Sequence, residues 1–378
     1  MNLGLYIHIP FCRRKCLYCD FTSFAGAEEL YEAYTAALCR EISGKGGLFA
    51  GHRVDSVYLG GGTPTVLPPE ALARLGAAVK GYWNIAPDAE FTVEANPGTL
   101  DREKLAVLRS MGANRLSIGV QAFDDAVLQA AGRIHSAGEA VRTVEDAAQA
   151  GFENISIDLM YGLPGQTAAG FRAGLELAAG LPLRHISVYG LKVEDGTPFS
   201  RLQAAGKLPV PEEEEEDAMY ELAVRFLPES GLARYEISNY ARAGGRCRHN
   251  LKYWHYQPYI GLGVAAHSFW QGERTANTGD LKAYLRAVAG GGCPVVSCER
   301  PDRETAMAEY AFLALRTAEG LDFSDFHRHF AVDFNEKFAS RIGKFRDSGL
   351  LAADAEGLRL TDRGMKYGNV IFAAFLPD

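Results

Sequence analysis

Short apolar runs recur along the first half of the chain, each followed by a stretch whose apolar positions return every three to four residues. The runs Leu3–His8, Val54–Leu59, Glu90–Glu94, Arg115–Gly119, Ile155–Met160 and His185–Leu191 predict strands. The stretches Glu28–Ile42, Pro69–Tyr82, Asp101–Met111, Ala137–Ala150 and Ala168–Ala179 predict amphipathic helices, several of them closed by a following Gly. Strands alternating with helices in this way predict a parallel sheet with right-handed crossovers. Six such units are too few to close an eight-unit barrel. The expected fold class is therefore α/β, a partial (β/α)6 barrel with its ligand site at the C-terminal ends of the strands.

The remainder of the chain changes character. The acidic run Glu212–Asp217 opens a helix reaching about Ser230, where negative charge suits a helix N-terminus. Gly290–Pro301 reads as a linker. Beyond it, Glu304–Thr317, Phe323–Phe330 and Asn335–Ser348 read as helices, Leu350–Leu360 as a hairpin turning at Ala355–Gly357, and Thr361–Phe375 as a final helix. Helices followed by a hairpin predict a small winged-helix-like domain. From Arg303 onward there are 10 basic and 12 acidic residues, a net of −2. A nucleic-acid reader shows a basic face instead, so no nucleic acid is expected as a partner and the module reads as a packing or partner unit. The expected division is 1–230 for the core barrel, 231–300 for a region and linker packing on the barrel, and 301–378 for the winged-helix-like domain.

At 378 residues, 47% hydrophobic and 23% charged, the chain can bury a sizeable core. Its net charge of −8 favours solubility and speaks against a general nucleic-acid or anionic-membrane surface. No run of about 18 apolar residues predicts a membrane span. The opening MNLGLYIHIPFC has neither the basic start nor the small-residue cleavage site of a signal peptide. There are seven cysteines, and four of them (Cys39, Cys247, Cys293, Cys298) are scattered. A secreted disulfide framework would be denser and even in number, so a reducing cytoplasm is expected.

The other three, Cys12, Cys16 and Cys19, form C-x3-C-x2-C directly after the first apolar run. Three thiolates on one loop can hold three corners of a cubane iron–sulfur cluster and leave the fourth iron open. Phe21 follows where a nearby fourth thiolate would stand. The triplet alone also leaves zinc open, since Asp20 or His8 would complete the four ligands that structural zinc requires. Gly60-Gly61-Gly62-Thr63-Pro64 ends the second predicted strand. Such a run is a turn, or a place where backbone approaches a ligand closely; its position at a strand's C-terminal end favours the second. The segment Cys247–Tyr256 concentrates imidazole, phenol and indole groups, and His267 follows in GLGVAAHSF. Haem accepts His, Cys or Tyr as axial ligand, and aromatic walls suit a flat macrocycle. Composition by itself favours the plainer reading, aromatic closure of the core against the barrel.

YIHIPFC-x3-C-x2-C followed by GGGTP resembles the radical S-adenosylmethionine (SAM) superfamily. In that superfamily the open iron of a [4Fe–4S] cluster chelates SAM, and an electron from the cluster cleaves the sulfonium to a 5′-deoxyadenosyl radical. The segments VEANPGTL, RLSIGVQAF, GRIH, ISIDLMYGLPGQT, YEISNYA and HNLKYW are similar, more closely, to the oxygen-independent coproporphyrinogen III oxidase family. The matching stretch runs from Tyr6 to Trp254, about two thirds of the chain, and the C-terminal module resembles that family's small terminal domain. The resemblance implies a barrel of the radical SAM type, with Cys12, Cys16 and Cys19 on the cluster. It further implies that Tyr6 packs near the cluster and the methionine moiety of SAM, and that Gly61, Gly62 and Thr63 meet the SAM amino group. Glu94 would bind the ribose or amino group, Gln121 the ribose, Arg133 the carboxylate and Asp158 the adenosyl portion.

H-N-x-x-Y-W is similar to a motif of the haem-chaperone branch of this family, whose members are proposed to bind haem and pass it to respiratory-chain proteins. This implies haem as cargo near His249, Asn250, Tyr253 and Trp254, with His249 as the expected axial ligand. The oxidases carry a further cysteine where this chain has Phe21, and an extension before the cysteine motif that helps enclose substrate; here eleven residues precede Cys12. The alternatives are a coproporphyrinogen III dehydrogenase, decarboxylating propionate side chains, and a radical SAM enzyme acting on RNA, against which the −2 of the terminal module speaks. Cytoplasmic localisation, peripheral at the inner membrane face, and a homodimer complete the expectations. Tyr235 and Glu236 are polar groups near the haem motif, read as either pocket lining or partners for the backbone.

Overall fold

The computed structural model describes residues 2–376. Strands β1 (Asn2–Ile9), β2 (Arg53–Gly61), β3 (Asn84–Ala95), β4 (Arg115–Gln121), β5 (Asn154–Tyr161) and β6 (His185–Gly190) lie side by side, all parallel, in chain order. Helices cross between them as the apolar periodicity predicts, including Pro69–Tyr82, Arg102–Met111 and Ala137–Gln149. Asp101 caps the second of these, and Ser136 with Glu139 forms a capping box on the third. The six-unit open barrel is thus present.

The sheet goes further than the six units. β7 (Asn239–Ala241) runs antiparallel beside β6, with the two-residue strand Ala233–Arg234 at its edge. On the other side, β8 (Tyr259–Leu262) pairs parallel with β1. An antiparallel extension follows: β9 (His267–Trp270), β10 (Glu273–Asn277) and β11 (Val295–Glu299). The result is one open 12-stranded sheet. Strands of the region 231–300 thus join the same sheet as the barrel. Within the expected linker Gly290–Pro301, Val295–Glu299 is an edge strand; because it is almost wholly exposed, its sequence carries no buried alternation to read.

Alternation within the parallel strands decides where the site lies. Leu3, Leu5, Ile7 and Ile9 of β1, with Val57, Leu59, Ile118 and Ile157, face the helices and are fully buried. Each such side chain contributes about 1.5–3 kcal/mol relative to exposure. The intervening positions face the lumen and are polar: Tyr6 and His8, Ser56 and Tyr58, Thr92 and Glu94, Arg115 and Ser117, Ser156 and Asp158, His185 and Ser187. Parallel strands buried on both faces ordinarily read as continuous apolar runs. A polar alternate set in buried strands marks a lumen built for polar chemistry.

The C-terminal module has a core of its own around Phe326, Phe334, Phe338 and Phe375. Helices Arg303–Ala314, Phe323–Phe330 and Phe334–Asp347 pack with a three-stranded sheet, in which Leu321–Asp322 joins the expected hairpin of Leu351–Ala353 and Gly357–Leu360. This is a winged-helix-like arrangement. The expected final helix Thr361–Phe375 is two short helices, Asp362–Lys366 and Gly368–Ala373, because the backbone leaves helical geometry at Tyr367. The module is tied to the barrel by Lys366 to Asp217 at 2.9 Å, by an Arg274–Glu309 ion pair and by Arg316, whose guanidinium lies 4.4 Å from the Trp254 ring centre.

Candidate functional site

A cavity of about 530 Å3 opens at the C-terminal ends of the parallel strands. Cys12, Cys16 and Cys19 all line it, partly exposed and unpaired with one another. Their loop is held from both sides. Phe11–Cys12 pairs with Phe24–Ala25, and the Leu17 N–H donates to the Ala131 carbonyl at 3.1 Å. Among the described residues, no three His, Cys, Asp or Glu side chains converge tightly enough to hold a single ion. Three unpaired thiols lining one cavity suit ligands to three different iron atoms of a cluster. His8, one candidate for a zinc ligand, has both ring nitrogens engaged, by the Tyr6 hydroxyl at 3.0 Å and the Thr22 carbonyl at 2.9 Å.

The GGGTP run makes its close approach to this same loop. The Gly62 N–H donates to the Ile9 carbonyl at 2.9 Å and the Thr63 N–H to the Phe11 carbonyl at 2.7 Å. A Cβ on Gly62 would lie 2.6 Å from the Phe11 oxygen, and one on Gly61, at φ +109°, 2.3 Å from the His8 ring. The glycines thus seat the cysteine loop as well as lining the cavity.

Glu94, Gln121, Arg133 and Asp158 line that cavity too. Glu94 accepts from the Tyr58 hydroxyl at 2.8 Å and from the Gly61 N–H at 3.0 Å. Burial pushes its carboxyl up to about 7, against the pull of those donors. Burial likewise raises Asp158, whose carboxylate accepts from Ser117 at 3.5 Å. Gln121 sits at φ +69° just past a register shift in β4, a bulge that re-aims its side chain at the cavity. Arg133 donates to the Cys16 sulfur at 3.3 Å and also to Asn96 Oδ1 and the Gly119 carbonyl. Asn96 donates on to Thr63 at 2.7 Å, and Thr63 to the Cys12 sulfur at 3.6 Å. Asn96 therefore links the guanidinium to the cysteine loop. It lay in VEANPGTL without a role, and the only signal was its position just past the third strand. Tyr58, within the apolar run Val54–Leu59, reads from sequence as core.

Tyr6 does not reach this cavity. It lies in a neighbouring groove, stacked near Tyr58 and His249. The haem motif is divided by its helix, Arg248–Trp254. Asn250 faces the cysteine cavity. Tyr253 faces away from it, lining two adjoining depressions of about 330 and 250 Å3. Trp254 packs under Arg316. His249 is fully buried between these; its Nδ1 bonds Ser56 at 2.9 Å and its Nε2 the Tyr253 hydroxyl at 2.8 Å. Burial pushes its pKa down to about 3, so it is neutral. Neither nitrogen is open to a metal in this conformation, and ligation by His249 requires the Tyr253 phenol to swing away. Glu90 anchors the helix, accepting from the Arg248 and His249 N–H groups at 2.9 and 3.0 Å. Tyr235 and Glu236 prove to be internal partners. The Tyr235 hydroxyl meets His185 and the Cys247 N–H, and Glu236 accepts from Ser238 and Asn239.

Residues 6–178 match the radical SAM superfamily, and residues 302–367 match the HemN C-terminal domain. The chain is 38% identical over 374 residues to a protein of Bacillus subtilis (strain 168) named heme chaperone HemW, with 99% of each chain covered. It is 38% identical to the protein of that name from Escherichia coli (strain K12), covering 70% of this chain and 69% of the other. Among solved structures, coproporphyrinogen III oxidase (HemN) from Escherichia coli, a radical SAM enzyme, superposes with a TM-score of 0.88 at 26% identity, over 99% of this chain and 90% of that one.

Proposed function

We propose a haem-carrying role for this chain, which belongs to the family of the heme chaperone HemW. It binds haem and hands it to acceptor haemoproteins, on a scaffold that holds a [4Fe–4S] cluster and SAM. One observation carries the reading. The tyrosine of the HNLKYW helix walls two aromatic depressions, the larger of which shares Phe21, Gly61 and Glu94 with the cysteine cavity. Cargo and cofactor are thereby neighbours separated by a few side chains.

The residues of the cavity fit the cofactors by their donor chemistry. Three free thiols, a guanidinium on one of them and a hydroxyl on another suit an anionic cluster held by Cys12, Cys16 and Cys19. When bound, the cluster supplies an electron source and an open iron for the SAM amino acid moiety. Gly61, Gly62 and Thr63 form the wall beside it. Arg133 reaches the SAM carboxylate from its seat on Cys16 and Asn96. Glu94 accepts from the amino group or the ribose, Gln121 meets the ribose, and Asp158 meets the adenosyl portion. Tyr6 packs from the groove side. On the cargo side, Tyr253, Tyr256, Tyr259 and Phe269 supply aromatic surface while Trp254 packs under Arg316, Asn250 faces the cofactor, and His249 stands behind Tyr253, one hydrogen bond from the groove.

The finer expectations belong to the same proposal: respiratory-chain acceptors, a homodimer, and docking at the inner face of the membrane. Among the described residues no helix is long and apolar enough to cross a membrane. The test is transfer. Chain loaded with haem is mixed with an apo-haemoprotein, and the acceptor's spectrum is followed. Delivery faster than from free haemin is expected; equal rates overturn the proposal. Protoporphyrinogen formed anaerobically from coproporphyrinogen, with SAM and reductant, would replace the reading with the oxidative decarboxylase.

A further inference from the structure

The sheet extension beyond β1 carries a platform that the cysteine cavity does not use. Tyr259 of β8 lies opposite Phe269 of β9, which lies opposite Arg274 of β10; His267 lies opposite Ala276. Alternate residues of a strand share a face, and so do cross-strand partners. Tyr259, His267, Phe269 and Arg274 therefore project from one side of the sheet. The face continues on to Tyr6, whose neighbour on β8 is Gly261. A Cβ on Gly261 would clash with the His267 carbonyl oxygen, so the β9 backbone closes over it; the open floor is the larger depression, which Tyr6, Tyr259 and His267 line together. Tyr253 stands over this floor, edge-on to Tyr259 with ring centres 4.6 Å apart.

Three imidazoles border the floor, and two of them are spent. His8 and His249 each have both ring nitrogens in internal hydrogen bonds. His267 is exposed, lines the larger depression, and makes no side-chain hydrogen bond among the described residues. At the far end, in the smaller depression, lies Arg274, the guanidinium that also pairs with Glu309 of the C-terminal module. His267 and Arg274 are one strand and two residues apart. By strand rise and spacing this is about 8 Å between backbones, comparable with the reach from a haem iron to its propionate carboxylates.

We propose that haem lies on this platform with His267 as an axial ligand to the iron and its propionates toward Arg274. This rests on the haem-carrying reading and assigns its ligand. His249 is then a positioning residue, holding the Tyr253 phenol against the bound macrocycle.

The experiment titrates haemin into the full, cluster-loaded chain, reading Soret difference spectra and the ferric haem signal by electron paramagnetic resonance. Wild type is expected to show imidazole ligation. His267→Ala should lose that signature and bind at least tenfold more weakly, with added imidazole restoring the ligated spectrum. Arg274→Gln should weaken binding while keeping the signature. If His267→Ala binds haemin with the wild-type spectrum, or if His249→Ala alone abolishes the imidazole signature, the ligand assignment is overturned and the haem-carrying reading stands. If wild type binds no haemin, both fall together.

Discussion

If Glu94 holds SAM as proposed, its carboxyl should make SAM binding pH-dependent. Its folded-state pKa, about 7, lies well above that of an ordinary glutamate because the lumen excludes water around it. A carboxylate accepts from the SAM ribose or cationic amino group far more strongly than a neutral carboxyl does, so below pH 7 tight binding has to expel a proton. With a bound-state pKa far below the range, affinity falls about tenfold from pH 8 to pH 6, or about 1.4 kcal/mol. The SAM amine also loses a proton when it chelates iron, which tilts affinity the same way. The readout is therefore a ratio. Isothermal titration of SAM into cluster-loaded wild type and Glu94→Gln is performed at pH 6, 7 and 8, under anaerobic conditions. The wild-type advantage over Glu94→Gln should be about tenfold larger at pH 8 than at pH 6. The sign for stability without SAM is opposite. A carboxyl raised in the folded state costs stability as pH climbs from about 4.5 to about 7, and Glu94→Gln removes that slope. A wild-type-to-variant affinity ratio that stays constant from pH 6 to 8, or that grows toward acid, would refute the reasoning.

Further outcomes are expected. Replacing any one of Cys12, Cys16 or Cys19 by Ala should abolish the cluster's absorbance and paramagnetic signal in reconstituted protein, whereas Cys39→Ala should leave both intact. Gly62→Ala forces a Cβ to within 2.6 Å of the Phe11 oxygen, so it should lower reconstituted cluster content severalfold; full cluster content would show that the loop yields more easily than the packing implies. Glu90→Ala leaves one buried and one part-buried N–H donor of the motif helix unpaired and should cost about 2 kcal/mol locally, seen as faster hydrogen exchange at Arg248 and His249, with Glu90→Gln retaining part of the protection. Tyr253→Phe removes the partner of His249 Nε2; it should weaken haem binding without changing SAM affinity, and an equal loss of both would show that the two sites are not separately built.

The local determinants of this molecule are legible in its residues. Six strands and their crossover helices follow from apolar periodicity, because each βα unit buries its own helix against its own strands. The cysteine spacing marks a metal-binding loop, and the motifs fix the family, because these depend on residues a few positions apart. The alternation of polar residues within buried strands (YIHI, SVYL, ISID) also announces the polar lumen, though it reads as plain apolar runs until the barrel shows which side each residue takes. What only the tertiary structure decided depends on distant pairings. β8 inserts beside β1, Ser56 meets His249, Glu90 meets Arg248, and Phe269 falls opposite Tyr259. Those contacts turn His249, the imidazole that the motif singles out, inward with both nitrogens satisfied, and leave His267, outside the motif, facing the groove. A motif specifies residue types at a spacing. Whether a nitrogen's lone pair is free is settled by what the rest of the chain places against it.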